Sequence, residues 1–185
     1  MLGAAIQPAS ILGPIVGVLL VSSEWSQRTA QITFTLVPKR TRVIAAKLLA
    51  SLVVALIAYA VSILVAVLAS AIAGGDMSVS AGMLGQLTVL AGISMVGGVA
   101  FGALLLASAP AIVTYFLAPI AFAALMAIPW FDGVKEWVDG SQSYSPMTEH
   151  VLSGTEWAHV GTTTLLWLAL PLALGIWRIV RNEVP

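Results

Sequence analysis

Long apolar runs separated by short polar stretches dominate the chain. Five runs can each cross a hydrocarbon core about 30 Å thick, which takes roughly 20 residues of helix. They are residues 2–21, 48–73, 84–107, 111–130 and 159–180. None alternates apolar and polar positions as the strands of a membrane barrel do, so helices are the expected spanning form. The pattern predicts an all-α integral membrane protein with about five transmembrane helices, in a single domain over residues 1–185.

Composition supports a membrane environment and narrows the possible chemistry. Of the 185 residues, 59% are hydrophobic and 9% are charged, and the mean hydropathy is +1.02. A soluble domain is about one quarter charged, so this chain lacks the polar residues to cover a water-exposed surface. The formal net charge is zero, which predicts no general attraction to nucleic acid. The chain has no Cys, which excludes disulfides and thiolate chemistry.

The basic residues are concentrated at one side of the predicted membrane. Five of the eight Lys and Arg residues fall between residues 22 and 47, and Arg178 and Arg181 lie near the C-terminus. Residues 131–158 contain one Lys and five acidic residues. With residues 22–47 and the C-terminus in the cytoplasm, seven of the eight basic residues lie inside, as the positive-inside rule requires. Five spans then place the N-terminus and residues 131–158 outside.

The polar segment 22–47 has the pattern of a short helix. Ser22 or Ser23 is a suitable N-cap, Glu24 then lies in the first turn, and Pro38 ends the pattern. At 100° per residue one apolar stripe forms, with Phe34 on the opposite face. The stripe comprises Trp25, Thr29, Ile32 and Leu36. This pattern fits either an amphipathic helix at the membrane interface or a helix that docks on a cytoplasmic partner.

A basic cluster follows Pro38 and leads into the second span. It consists of Lys39, Arg40, Arg42 and Lys47. We expect the first three to reach lipid phosphates, and Lys47 to extend its amine to the interface from the first turn of the span.

The stretch SSEWSQRTAQITFTLVPKRTRVIAAKL resembles the cytoplasmic segment of ABC-2 type transporter permeases. In that family an acidic residue opens a short helix, and a Thr/Leu-rich stretch, a Pro, an Arg and a Lys at the next span follow. The resemblance implies that the helix from Glu24 to Leu36 couples the membrane domain to an ATP-binding-cassette ATPase subunit. The implied partner-coupling residues are Glu24, Trp25, Arg28, Ile32, Phe34 and Leu36.

The same resemblance implies an assembly. The chain would be the membrane subunit of an exporter in a bacterial cell membrane, paired with a second permease chain and with two ATP-binding subunits. The family layout has six spans with both ends inside, whereas this chain begins where the second span should. We therefore expect the first span to be missing, and the resemblance is specific only over residues 22–47.

No motif in the chain predicts catalysis or a cofactor. There is no GxxxxGK[ST] sequence to hold a nucleotide, and His150 and His159 lack a metal-ligand spacing. The second, third and fourth spans contain no charge, which argues against a carrier that depends on buried carboxylates. The sequence predicts a protein that is not an enzyme, has no metal or cofactor and is driven by a partner. A non-transporting membrane scaffold or assembly subunit is the alternative.

A few residues within the spans predict close helix packing. Gly13 with Gly17 and Gly98 with Gly102 form two GxxxG spacings, which fit contacts inside the subunit or at a dimer interface. The polar residues within or beside the spans are Gln7, Gln86, Thr88 and Thr114. Hydrogen bonds between helices explain them more readily than contacts with a substrate.

Residues 131–158 form the largest predicted outer segment. Phe131, Val134, Trp137 and Val138 recur near helical spacing, which predicts a short amphipathic helix on the outer surface. The sequence fits either a solvated loop with aromatic anchors or a lid over an exit path.

Overall fold

The computed structural model describes residues 2–27, 40–74, 80–131 and 133–181, excepting the side chains of residues 2–9 and 40. Every regular element in these ranges is helical, as the sequence predicts. The long helices are α1 (Leu2–Ser26), α2 (Arg40–Ile72), α3 (Ala81–Leu105) and α4 (Ser108–Met126). The shorter ones are α5 (Lys135–Val138), α6 (Gly140–Tyr144), α7 (Gly154–Thr164) and α8 (Leu170–Arg181). Short 3-10 turns lie at Pro129–Phe131 and Ser145–Thr148, and a π-helical segment, Leu165–Ala169, joins α7 to α8.

Four helices among the described residues are long and apolar enough to cross a membrane. They are α2, α3, α4 and the continuous helix Gly154–Arg181, and a shorter apolar stretch covers Ser10–Ser26 of α1. Large apolar side chains on α2, such as Leu49, Ile57 and Leu64, are more than half exposed. A surface of this kind is stable only in lipid or against another apolar surface. The chain is a multi-pass membrane protein.

Two helix boundaries near the basic segment differ from the sequence-based expectation. α1 continues through Ser26, so Ser22 and Ser23 do not cap a new helix, and Glu24 lies in the last turns of α1. Ser22 is fully buried and its hydroxyl donates to Val18 O, one turn back, which explains why this serine does not end the helix. α2 begins at Arg40, eight residues before the predicted span, so Lys47 lies in its second turn and not its first.

The glycine pairs bring α1 and α3 into backbone contact within the subunit. A Cβ atom on Gly17 would overlap Met95 O, and one on Gly98 would overlap Pro14 O. A Cβ on Gly102 would lie 2.8 Å from Val18 O. Of the two explanations for the GxxxG spacings, the structure therefore shows the contact inside the subunit at these three glycines.

The last long helix packs on α3 near its end and contains a local irregularity. A Cβ on Gly175 would lie 2.8 Å from the backbone carbon of Ala103, so these two helices are also in close contact. Pro171 lies two residues after the π-helical segment. Because proline has no N–H to donate to the preceding turn, it accounts for the loss of regular α-helical bonding there.

The helix bundle has two ends, each named after one of its residues. The Glu24 end comprises the end of α1, the start of α2, the α3–α4 link and the end of α8. The Gln86 end comprises the start of α3, the end of α4 and the start of α7. Residues 127–153, which join α4 to α7 at the Gln86 end, are called the connecting segment.

Candidate functional site

An ion pair joins α1 to α2 at the Glu24 end. Lys47 Nζ lies 2.9 Å from Glu24 Oε1, and the two side chains are only 16% and 28% exposed. The same Lys47 amine donates to Leu20 O of α1. Lys47 therefore turns toward α1, and its role at the membrane interface stays a prediction. Exposed ion pairs contribute little, but a pair shielded from water interacts more strongly.

Serine hydroxyls and an arginine connect the other helices at the same end. Ser22 Oγ lies 2.9 Å from Ser108 Oγ at the start of α4, and Ser26 Oγ lies 3.2 Å from the same atom. Arg178 Nη1 of α8 donates to Leu104 O at the end of α3. The serine contacts hold the end of α1 against α4. The arginine bond holds α8 against α3.

Only some of the predicted partner-coupling and interface residues lie in the described part of the chain. Trp25 is half-buried and packs on the chain's own apolar cluster, which includes Val21, Ile44 and Ile179. Arg42 is exposed on α2. Arg28, Ile32, Phe34, Leu36 and Lys39 lie outside the described residues, as does the side chain of Arg40.

At the Gln86 end the connecting segment packs against the helix that follows it. Ser143 Oγ lies 2.7 Å from Thr163 Oγ1, and Tyr144 Oη lies 3.1 Å from Thr164 Oγ1. Thr163 follows Gly154 by nine residues, which corresponds to about 14 Å along the helix. The segment therefore packs along the first third of the helix Gly154–Arg181.

Gln86 of α3 binds the last part of the connecting segment, at residues 147–152. It is 2% exposed, and its amide nitrogen donates to Met147 O at 2.8 Å and to His150 O at 2.5 Å. Its amide oxygen accepts from Leu152 N at 3.1 Å. One side chain thus satisfies three backbone groups of the segment. The sequence predicts a hydrogen bond between helices for this residue. In the structure its partners are backbone groups of the connecting segment, one of them in the 3-10 turn Ser145–Thr148.

Other side chains donate hydrogen bonds to backbone carbonyls in the first part of the segment. Trp167 Nε1 donates to Val138 O at 2.8 Å, and Thr163 Oγ1 donates to Trp137 O at 3.1 Å. Ser143 Oγ donates to Glu136 O at 2.8 Å. All three carbonyls belong to the last residues of α5, where a helix leaves its carbonyls without intrahelical partners. These bonds therefore satisfy the end of α5 through other parts of the protein.

The connecting segment differs from a surface helix and from a solvated loop. A surface helix was predicted over residues 131–138, but α5 has only the four residues Lys135–Val138. Met147, Leu152 and Val160 form a buried apolar cluster against Leu90 and Ile93 of α3, so the segment is not a solvated loop. Whether it acts as a lid is a question of function and is considered below.

An aromatic cleft lies between the connecting segment and helices α3 and α4. It has a volume of about 350 Å³ and is open on one side. Five aromatic side chains line it: Phe101, Tyr115, Phe116, Tyr144 and Trp167. Phe101 and Phe116 each meet Tyr115 edge to face, at centroid distances of 5.5 and 5.1 Å. Gly97 leaves room for this arrangement, because a Cβ there would lie 3.1 Å from the Tyr115 ring.

Histidines and acids do not cluster in the part of the chain that is described. No group of three His, Cys, Asp or Glu residues there is placed to hold a metal ion. His150 Nε2 pairs with Glu156 Oε1 at 2.8 Å, and the His159 ring meets Trp137 edge to face at 4.4 Å. Glu156 also accepts from Ser153 in a capping box that begins α7. These contacts give both histidines a structural role.

Comparison with known proteins does not assign this arrangement to a family. No family model, curated protein or solved structure matches the chain. The similarity of residues 22–47 to ABC-2 permeases therefore stays a prediction. The function proposed below is argued from that prediction and from the geometry at the two ends of the bundle.

Proposed function

We propose that this chain is the membrane-spanning permease subunit of an ATP-driven ABC-2 type exporter. A separate ATP-binding-cassette subunit would dock on residues between Glu24 and Leu36, and a second permease chain would complete the transport path. The observation that carries the proposal is the Glu24–Lys47 ion pair. It joins α1 and α2 on either side of the segment that resembles a coupling helix.

The position of this ion pair suits the transmission of force. A partner that moves residues 28–39 would act on the end of α1 and the start of α2 together, because the Glu24–Lys47 pair links them. α1 would transmit the displacement to α3 through the backbone contacts at Gly17, Gly98 and Gly102. Helices packed this closely move as rigid bodies, and small shifts at one end become larger rearrangements elsewhere.

The connecting segment would form the gate at the other end. It consists of short helical pieces packed against longer helices, and interrupted helices are characteristic of transport paths. α3 reaches from the α1 contact at Gly98 to the segment anchor at Gln86, so one helix connects the coupling end to this gate. Alternating access would then be a rearrangement of α1 and α3 that loosens the segment.

The docking step is tested by crosslinking in the native membrane. A photo-reactive residue replaces Phe34, and a control chain carries it at Ile120, which is 65% exposed on the apolar surface of α4. We expect position 34 alone to crosslink to a protein that contains a GxxxxGK[ST] motif. Crosslinking only to lipid, or to proteins without that motif, favours the scaffold alternative.

A charge exchange separates the intramolecular role of Glu24 from a role in partner binding. Glu24→Lys and Lys47→Glu should each lower the ATPase activity that is coupled to transport, since each places two like charges together. The double exchange should restore at least half of the loss if the pair acts within the chain. The readouts are ATP turnover and co-purification of the ATPase subunit. Loss of the subunit in the double exchange would instead show that Glu24 contacts the partner directly.

Orientation in the membrane is a further prediction of the proposal. The chain has no Cys, so single-Cys variants report one position each. We expect Arg40→Cys and Arg181→Cys to resist an impermeant thiol reagent on intact cells, and Gly133→Cys to react. Gly133 is exposed, and no neighbouring atom lies within 4 Å of an added Cβ. Labelling at position 40 without labelling at position 133 would reverse the orientation.

A further inference from the structure

The aromatic cleft has the chemistry of a binding site for a hydrophobic cation. Its walls carry five aromatic rings from four parts of the chain, and its volume of about 350 Å³ falls within the range of small-molecule sites. Aromatic faces are electron-rich and attract cations, most strongly where water is excluded. Aliphatic side chains would serve an uncharged hydrocarbon equally well, so the concentration of aromatic rings favours a positively charged ligand.

A buried carboxylate immediately precedes two residues that line the same cleft. Asp139 is 4% exposed, and its Oδ1 accepts from Ser141 N at 2.9 Å and from Ser141 Oγ at 2.7 Å. Both Ser141 and the intervening Gly140 line the cleft. In the described part of the chain, no Lys, Arg or His forms an ion pair with this carboxylate. A buried acid without a basic partner is costly, and a bound cation would offset that cost.

The connecting segment, like Asp139, is negatively charged. The connecting segment contains four acidic residues and one Lys, so a cation approaching the cleft meets a negative potential. Ile120, which is exposed on the apolar surface of α4, also lines the cleft. A ligand with an apolar body and a positive charge can therefore enter from the membrane and place its charge near Asp139.

From these observations we infer that the aromatic cleft binds a monovalent organic cation with an aromatic or other bulky apolar body. The rings of Phe116, Tyr144 and Trp167 surround the apolar body, and Asp139 compensates the charge. The inference concerns binding by this chain alone. That the cation is also the exported cargo rests on the proposed function.

The test compares two ions of the same shape and opposite charge. Tetraphenylphosphonium and tetraphenylborate each present four phenyl rings around one charged centre. Binding is measured by equilibrium dialysis against the full chain in nanodiscs, after subtraction of binding to empty nanodiscs. We expect saturable binding of tetraphenylphosphonium and none of tetraphenylborate. Equal saturable binding of both ions, or no saturable binding of the cation, overturns the inference.

Two variants locate the site. Asp139→Asn retains an oxygen that can accept from Ser141 and removes the charge, and we expect it to weaken binding of the cation by about ten-fold or more. Glu149→Gln is the matched control, since Glu149 is an exposed acid of the same segment, and it should bind as wild type does. Phe116→Leu should weaken binding without any change of charge. Wild-type affinity in both Asp139→Asn and Phe116→Leu would show that the cation binds elsewhere.

The outcome is independent of the crosslinking at position 34. A chain that binds the cation but acquires no ATP-binding partner would contradict the proposed function and leave the binding site in place. A chain that acquires the partner but shows no preference for the cation would contradict only the inference.

Discussion

Replacement of Gly98 by Ala is expected to lower the free energy of unfolding by about 2–3 kcal/mol. The added Cβ would overlap Pro14 O, which belongs to the backbone of α1 and cannot move aside as a flexible side chain can. α1 and α3 would have to separate, and the contacts at Gly17 and Gly102 would be lost with the one at Gly98. The measurement is unfolding of the purified chain in mixed micelles.

Gly85 provides the matched control on the same helix. It is exposed, and no atom lies within 4 Å of a Cβ built there. Since Ala favours helix more than Gly does, Gly85→Ala should leave the free energy of unfolding unchanged or raise it by less than about 1 kcal/mol. Equal shifts at positions 85 and 98 would show that the α1–α3 contact is not a backbone contact.

The helical fold was predictable because its signal is local. Apolar runs of roughly 20 residues identify membrane helices by length and composition alone, and the structure has four such helices among its described residues. The glycine spacings also carried local information, because small residues one turn apart form a groove on any helix. Their partner helix could not be predicted, since the sequence does not show that Gly98 lies against Pro14.

Features that depend on distant residues were predicted less well. Ser22 and Glu24 are polar, and a local interpretation therefore places them at a helix start near water. In the structure Ser22 bonds to Ser108, which is 86 positions away, and Glu24 pairs with Lys47. These long-range partners satisfy the polar groups inside the bundle, and α1 can continue through them.

The connecting segment is the clearest case of the same effect. Residues 139–146 are rich in Gly, Ser and Pro, a composition typical of turns exposed to solvent. Their burial depends on Gln86, which is 61 positions before Met147, and on Thr163 in the following helix. A single buried Gln within an apolar run was the only sequence signal. Its three backbone partners could not be inferred from it.

Gln86→Leu is expected to release the connecting segment from α3. The substitution preserves approximate volume and leaves Met147 O, His150 O and Leu152 N without the bonds that Gln86 provides. A buried polar group without a partner costs about 1–3 kcal/mol, so we expect a loss of at least about 3 kcal/mol in the free energy that holds the segment in place. The segment can open locally while the helices stay folded, so hydrogen exchange at residues 140–152 is the direct measurement.

Two further variants separate the hydrogen bonds from a general effect on the membrane domain. Gln86→Glu keeps an acceptor for Leu152 N but loses both donors, so it should also increase exchange, with the larger change near Met147 and His150. Ser62→Ala is the control, because Ser62 Oγ bonds only to Ala58 O of its own helix, which remains paired in the helical ladder. If Gln86→Leu leaves exchange at residues 140–152 as slow as in the wild type and in Ser62→Ala, then Gln86 does not anchor the segment. The segment would then have to be held by its bonds to the helix that follows it and by its apolar cluster.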